Sequence, residues 1–294
     1  MILSGMRFHS PRTAEEAVQL LSDLKGARVL AGGTDLLVDL KQGLTDVKDV
    51  ISLQDIEGLK GITKERNRIR IGATSTPQEI LSSSLIRQYF PALTEAAQSM
   101  ASIQIRTLAT IAGNITSAVP SADLPPSLIA ADAAVKLLCT ESSREVPLSG
   151  FFTGPRETVC RTKELLVSVF VPLPSSNTGI SYQKCTLREA NSLAVASVAS
   201  RLTIKNGKTE RAAIVLGAVA PTPVLALKAS AHLQSKAPSL EVFEEAAAMA
   251  KEEGKPISDI RGSAWYRKEL IHVLTRRSLS EAFERAQGKS RTKK

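Results

Sequence analysis

Two short stretches of the chain consist almost wholly of small and turn-forming residues: Ala31-Gly-Gly-Thr-Asp-Leu-Leu37 and Thr110-Ile-Ala-Gly-Asn114. In the first, Gly32 and Gly33 open backbone torsions closed to other residues and leave no Cβ in the way of a ligand. A short strand, Arg28 to Ala31, runs into them, and Leu36 to Lys41 reads as one or two helical turns. Free N–H groups at such a helix start carry partial positive charge and suit pyrophosphate. The Thr34 hydroxyl adds a donor, and Asp35 is expected to cap the helix with its side chain while its N–H faces the anion. The other reading is a tight strand–helix turn that holds nothing. The second stretch repeats the logic. Thr110, Ala112 and Gly113 keep bulk down, and Asn114 tolerates the left-handed conformation. Beyond it, Asp123 suits a sugar or ribityl hydroxyl, or equally an N-cap before the Pro125-Pro126 helix. Two such loops in one domain favour an extended, phosphate-bearing ligand.

Other chemistry is excluded by what the sequence lacks. No G-x-G-x-x-G follows a strand, and no P-loop, H-E-x-x-H or G-x-S-x-G occurs. The three histidines, His9, His232 and His272, are scattered, and Cys139, Cys160 and Cys185 form no CxxC pair, so neither a metal set nor a cluster of its own is expected. Nothing resembles a nucleophile–base pair. Thirty-eight Lys and Arg against 29 Asp and Glu give +9, but four of the cations fall within the last seven residues. That basic tail and 4% aromatics argue poorly for nucleic acid. No apolar run approaches a membrane span, so a cytoplasmic protein is expected.

The positioning elements can be read around these loops. Thr13-Ala-Glu-Glu16 opens a helix with Ala17, Val18, Leu20, Leu21 and Leu24 on its apolar side. Ile69 and Ile71 alternate with arginines as on a half-buried strand. Prolines start helices at Thr76-Pro77 and Pro91. Val135, Leu137 and Cys139 alternate, and Leu165 to Val171 is a buried-strand candidate ending at Pro172. Pro172 to Asn177 is the best linker, which puts a domain boundary near 176. Past it, strands are expected at Tyr182–Leu187, Leu193–Ile204 and Arg211–Val219, with Asn206-Gly207 as a hairpin turn. Helices follow at 224–234, 239–253 and 262–287, the last interrupted near Ser278. The expected fold is α+β: a front domain, 1–176, split near 55–60; a meander backed by helices, 177–288; and a basic tail, 289–294.

These loops carry a resemblance. Together with Gln104-Ile-Arg-Thr, Pro120, Phe151-Phe-Thr-Gly-Pro155, Glu164-Leu-Leu166, Tyr182-Gln-Lys184, Arg188 and Ser258-Asp-Ile-Arg-Gly-Ser-Ala-Trp-Tyr-Arg267, the chain resembles the FAD-binding medium subunit of molybdenum hydroxylases. That family includes carbon monoxide dehydrogenase and xanthine dehydrogenase. The resemblance spans nearly the whole chain in order. It implies a two-subdomain FAD domain like that of vanillyl-alcohol oxidase, then a C-terminal α+β domain against the flavin. By it, Leu30, Ala31, Gly32, Gly33, Thr34, Asp35, Leu36 and Leu37 line the pyrophosphate and adenosine side. Thr110, Ala112, Gly113 and Asn114 continue the cradle, Asp123 holds a sugar or ribityl hydroxyl, and Leu166 walls the cofactor. Lys184 would lie near the isoalloxazine and favour its anionic reduced form. Ala109 and Ala112 depart from a pattern that often has glycine, narrowing the approach. Neither loop has His or Cys, so the FAD would be non-covalent. The resemblance further implies a large molybdopterin subunit and a small [2Fe–2S] subunit, in a dimer of heterotrimers, with electrons leaving through FAD to NAD or another acceptor. The competing readings are a stand-alone FAD-dependent dehydrogenase or oxidase and a non-catalytic nucleotide-binding module.

Overall fold

The computed structural model describes residues 5–288 of the 294, so the basic tail at 289–294 lies outside the described residues. The chain opens with β1 (Arg7–His9), α1 (Ala14–Asp23), β2 (Arg28–Leu30), α2 (Leu36–Lys41) and β3 (Asp49–Ser52). Their sheet runs β1-β3-β2 with both pairings parallel. Parallel neighbours need a crossover, which α1 and α2 supply. Thr13 caps α1 through the Glu16 amide, while the Glu16 carboxylate reaches back one residue further than a capping box requires, to the Arg12 amide. Ala17, Val18 and Leu21 are buried beneath it.

The second subdomain places β4 (Ile62–Glu65) and β5 (Arg68–Gly72) before six short helices. These are α3 (Pro77–Ser82), α4 (Ser84–Tyr89), α5 (Pro91–Gln98), α6 (Ile103–Leu108), α7 (Ile111–Thr116) and α8 (Leu124–Ala130). Then come β6 (Ala134–Leu138), β7 (Ser143–Pro147), the small hairpin β8 (Phe152–Gly154) and β9 (Glu157–Thr158), and β10 (Leu165–Pro172). The antiparallel sheet has order β4-β5-β10-β6-β7, with β10 central and buried on both faces up to Val171. The edge strands β4 and β7 escape a sequence reading because most of their residues are polar and partly exposed.

The C-terminal part is a second antiparallel sheet, β11 (Thr178–Thr186), β12 (Ala194–Lys205), β13 (Lys208–Gly217) and β14 (Val224–Leu225), backed by α9 (Leu227–Leu233), α10 (Leu240–Glu253) and α11 (Ala264–Ala286). Asn206 and Gly207 both have positive φ, the geometry of a two-residue hairpin. Two expectations fail here. Residues 224–225 are a strand before the helix, and α11 runs unbroken through Ser278. Ser278 is a buried polar residue satisfied across the interface by the Ser181 hydroxyl at 2.8 Å, so it interrupts the apolar pattern and not the helix.

The sheet is covered on both sides. Ile180, Tyr182, Ala199 and Val215 join the core of the front domain, whereas Val198, Leu202, Ile214 and Leu216 pack with α9–α11. Residue 176 lies between β10 and β11, and residues 55–60 include the 3-10 turn Glu57–Leu59.

Candidate functional site

Both small-residue segments face one cavity of about 620 Å³, within the range of small-molecule and cofactor sites. Its wall includes Ala31, Gly32, Gly33, Thr34, Asp35 and Leu36 from the β2–α2 turn. Thr110, Ala112, Gly113 and Asn114 come from the start of α7, Asp123 from the foot of α8 and Leu166 from β10. Asn191, Ser192 and Leu193 reach it from the β11–β12 loop, so both domains contribute. That loop is held by the Asn191 amide donating to the Ala101 carbonyl at 3.2 Å.

The two segments do different work. In the first, the amides of Gly33, Thr34 and Asp35 donate to no protein acceptor among the described residues, leaving a cluster of donors on the cavity wall. Gly33 has φ +71°, which turns the chain there. Gly32 is required by its neighbour rather than by a ligand: a Cβ would stand 1.9 Å from the Leu108 carbonyl oxygen. Asp35 does not cap; its torsions are helical and its side chain makes no cap bond. Leu30 and Leu37 do not reach the cavity with their side chains, which pack on Leu40, Val47 and Val50.

At α7 the first-turn amides are already taken. Ile111 and Ala112 donate to the Ser75 and Ala73 carbonyls, and Gly113 donates to the Thr110 hydroxyl at 3.1 Å. This end therefore offers side chains and close backbone packing in place of a second anion cradle. Asn114 is helical, without positive φ, and its Oδ1 accepts the Leu124 amide, which opens α8. Asp123 makes no cap bond, because Pro125 and Pro126, the second and third residues of α8, have no N–H to donate.

Asp123 instead receives Lys184 Nζ at 2.8 Å and the Tyr182 hydroxyl at 3.2 Å. Lys184 also donates to the Ser99 carbonyl at 2.9 Å, and its side chain is only 3% exposed. Burial pushes the Asp123 carboxyl above the usual carboxylate range, against the pull of Lys184 and Tyr182. Lys184 lies behind Asp123 and is not on the cavity wall. The alternation of β11 explains the grouping: Ile180, Tyr182 and Lys184 face the front domain, and Ser181 and Gln183 face α11.

Sequence reasoning missed several wall residues: Arg28, Asp39, Arg156, Glu164 and the Asn191–Leu193 loop. Glu164 is engaged by Arg144 at 2.7 Å, and that partner holds its carboxyl below the ordinary range. Burial raises the Cys160 thiol to about 11, so this wall cysteine stays protonated at neutral pH. A β-bulge at Val167 follows Leu166, which it sets at the wall. No group of three or more His, Cys, Asp or Glu is placed to hold a metal among the described residues. A cavity lined from both domains, with free amides from the β2–α2 turn and a fixed carboxylate at the wall, fits a diphosphate-bridged cofactor such as FAD.

Comparison with known proteins points to the same cofactor. Residues 4–174 match the family model described as FAD binding domain in molybdopterin dehydrogenase, and residues 181–282 match the CO dehydrogenase flavoprotein C-terminal domain. The chain is 31% identical to a xanthine dehydrogenase FAD-binding subunit from Escherichia coli O157:H7, covering 96% of this chain and 97% of that one. A carbon monoxide dehydrogenase structure from Hydrogenophaga pseudoflava, lacking the Mo-pyranopterin moiety, matches with TM-score 0.93 and 33% identity over 97% of this chain and 99% of its own. A quinoline 2-oxidoreductase structure from Pseudomonas putida 86 matches with TM-score 0.90 and 26% identity, covering 98% and 99%. The chain belongs to the FAD-binding subunits of molybdopterin dehydrogenases, and is an oxidoreductase subunit of the carbon monoxide and xanthine dehydrogenase type.

Proposed function

We propose that this chain is the electron-exit subunit of a multi-subunit molybdenum hydroxylase, taking electrons from [2Fe–2S] clusters and passing them to NAD or another acceptor. The observation that carries the reading is the cavity itself, walled by donor amides from the front domain and a loop from the back domain. Bound FAD supplies the capacity to accept electrons singly and release them in pairs. The β2–α2 amides would hold its diphosphate, Leu166 would wall it, and Asp123 would take a sugar or ribityl hydroxyl. Lys184 and Tyr182 fix the orientation of that carboxylate, so Lys184 would act on the flavin from behind Asp123. The two α+β subdomains support assignment to the vanillyl-alcohol oxidase type of FAD domain.

Relatives named as medium chains and FAD-binding subunits support partner subunits; a large molybdopterin subunit and a small [2Fe–2S] subunit, in a dimer of heterotrimers, are the partners this reading expects. The test is to purify the full chain, record its visible spectrum, and repeat with the products of adjacent genes. A yellow protein that co-purifies with molybdenum and iron is expected. Flavin turnover of a small substrate by the chain alone would replace this reading with a stand-alone dehydrogenase or oxidase. A colourless chain unable to take up FAD would favour a degenerate nucleotide-binding module.

A further inference from the structure

Two charged side chains on the cavity wall come from different subdomains and meet. Asp39 projects from α2, and Arg156 from the turn between β8 and β9; Arg156 Nη1 donates to Asp39 Oδ2 at 3.0 Å. Arg28 and Arg156 are the cationic residues on this wall, while Asp35, Asp39, Asp123 and Glu164 line it with carboxylates. The acids nearest other cations are committed, Glu164 to Arg144 and Asp123 to Lys184. A cation within reach would add to what the β2–α2 amides offer a diphosphate.

Arg156 is placed for that. Its φ is +62°, a region side chains disfavour, and its amide is held by the Ala118 carbonyl at 2.9 Å. The main chain, and not the ion pair, therefore aims the side chain. The guanidinium is 61% exposed, and an ion pair so exposed contributes little to stability. That torsion belongs to the two-residue Pro155-Arg156 turn of the β8–β9 hairpin, in which proline precedes a residue of positive φ. Arginine presents a planar fork of donors suited to phosphate oxygens.

We propose that Arg156 is a further FAD-binding residue, whose guanidinium leaves Asp39 for the diphosphate bridge of the cofactor. The proposal rests on the assignment of FAD to this cavity. Full-length chain stripped of flavin is titrated with FAD, ADP and riboflavin, following flavin fluorescence and calorimetry. Arg156→Gly removes the guanidinium and suits the positive φ, so the turn is retained. It is expected to weaken FAD and ADP by roughly ten- to a hundredfold and leave riboflavin unchanged. Asp39→Asn is expected to bind FAD as tightly or more tightly, and faster. An Arg156→Gly affinity for FAD within about twofold of the unaltered chain overturns the proposal. So does an equal loss on riboflavin, or an Asp39→Asn loss as large as that of Arg156→Gly, which would make the pair a clasp between subdomains. If the unaltered chain takes up no FAD, the cofactor assignment falls and the proposal with it; the other adverse outcomes leave that assignment standing.

Discussion

Gly32 and Gly33 are adjacent and necessary for unlike reasons. At Gly32 the obstacle to a side chain is the Leu108 carbonyl, fixed backbone that cannot step aside. Gly32→Ala is therefore expected to lower stability by about 1–3 kcal/mol or more, read by urea denaturation, whether or not flavin is bound. At Gly33 the obstacle is the torsion, and a Cβ would meet the flexible ends of Leu37 and Leu30. Gly33→Ala should cost about 1–2 kcal/mol. Gly33→Asp adds a carboxylate to a turn whose amides await an anion, so flavin content should fall much further than in Gly33→Ala. Unchanged flavin in folded Gly33→Asp would refute the turn as the diphosphate site. Gly-Gly turns are common, so this pair was visible in the sequence mainly because a second small-residue loop accompanies it. The sequence did not distinguish their roles, since the Leu108 carbonyl is brought against Gly32 only by tertiary packing. Arg156 was hidden for a related reason: a charged residue after Gly154-Pro155 looks like any surface turn until Asp39 is seen opposite.

Capping shows how elements share out polar groups. Asp123 has the sequence position of an N-cap, but Pro125 and Pro126 offer it no N–H, Asn114 on α7 takes the remaining Leu124 amide, and the Asp123 carboxylate turns to β11. The two prolines already speak against the cap in the local sequence; what the sequence could not show is the partner the carboxylate takes instead, because Lys184 is on a strand of the other domain. Removing one member of a buried pair strands the other charge. Lys184→Met strands the Asp123 carboxylate and Asp123→Asn strands the Lys184 ammonium, so each should cost about 3–5 kcal/mol, whereas the double variant should cost less than the sum of the two. Chemical denaturation of the three variants checks this; strictly additive losses would mean that packing and not the charge pair holds the site. A second ionic feature stabilises the approach to α11. Arg261, with its side chain and amide, and Arg267 hold Asp259 at about 2, below its ordinary 3.8. A depressed carboxylate contributes stability above its unfolded value and loses it as pH falls through the folded one. Melting temperature should accordingly drop between about pH 4 and 2. In Asp259→Asn that part of the drop should vanish, and an unaltered acid profile in the variant would discount the contact.

At the scale of the molecule, the two domains are not independent bodies joined by Pro172 to Asn177. The change of pattern at that linker was readable because a buried strand ends in proline and a long antiparallel meander begins. The dependence between the parts was not readable, because alternation along β11 and β12 shows that two faces exist without showing what covers each. One face is covered by α9–α11 and the other by the front domain, with Ile180, Tyr182, Ala199 and Val215 sharing a core with Leu93, Ala96 and Leu128. Ion pairs cross the same seam: Arg285 bridges Glu95 and Glu281, and Arg201 meets Asp132. Apolar surface buried between parts couples their unfolding. The full chain should therefore melt in one calorimetric transition, with the van't Hoff and calorimetric enthalpies in agreement. A fragment ending at residue 176 would expose the α5 and α8 faces and should bind a hydrophobic dye and aggregate. Two resolved transitions in the full chain, or a soluble dye-silent fragment that takes up FAD, would show that the front domain stands alone and that the seam serves the site without supporting the fold.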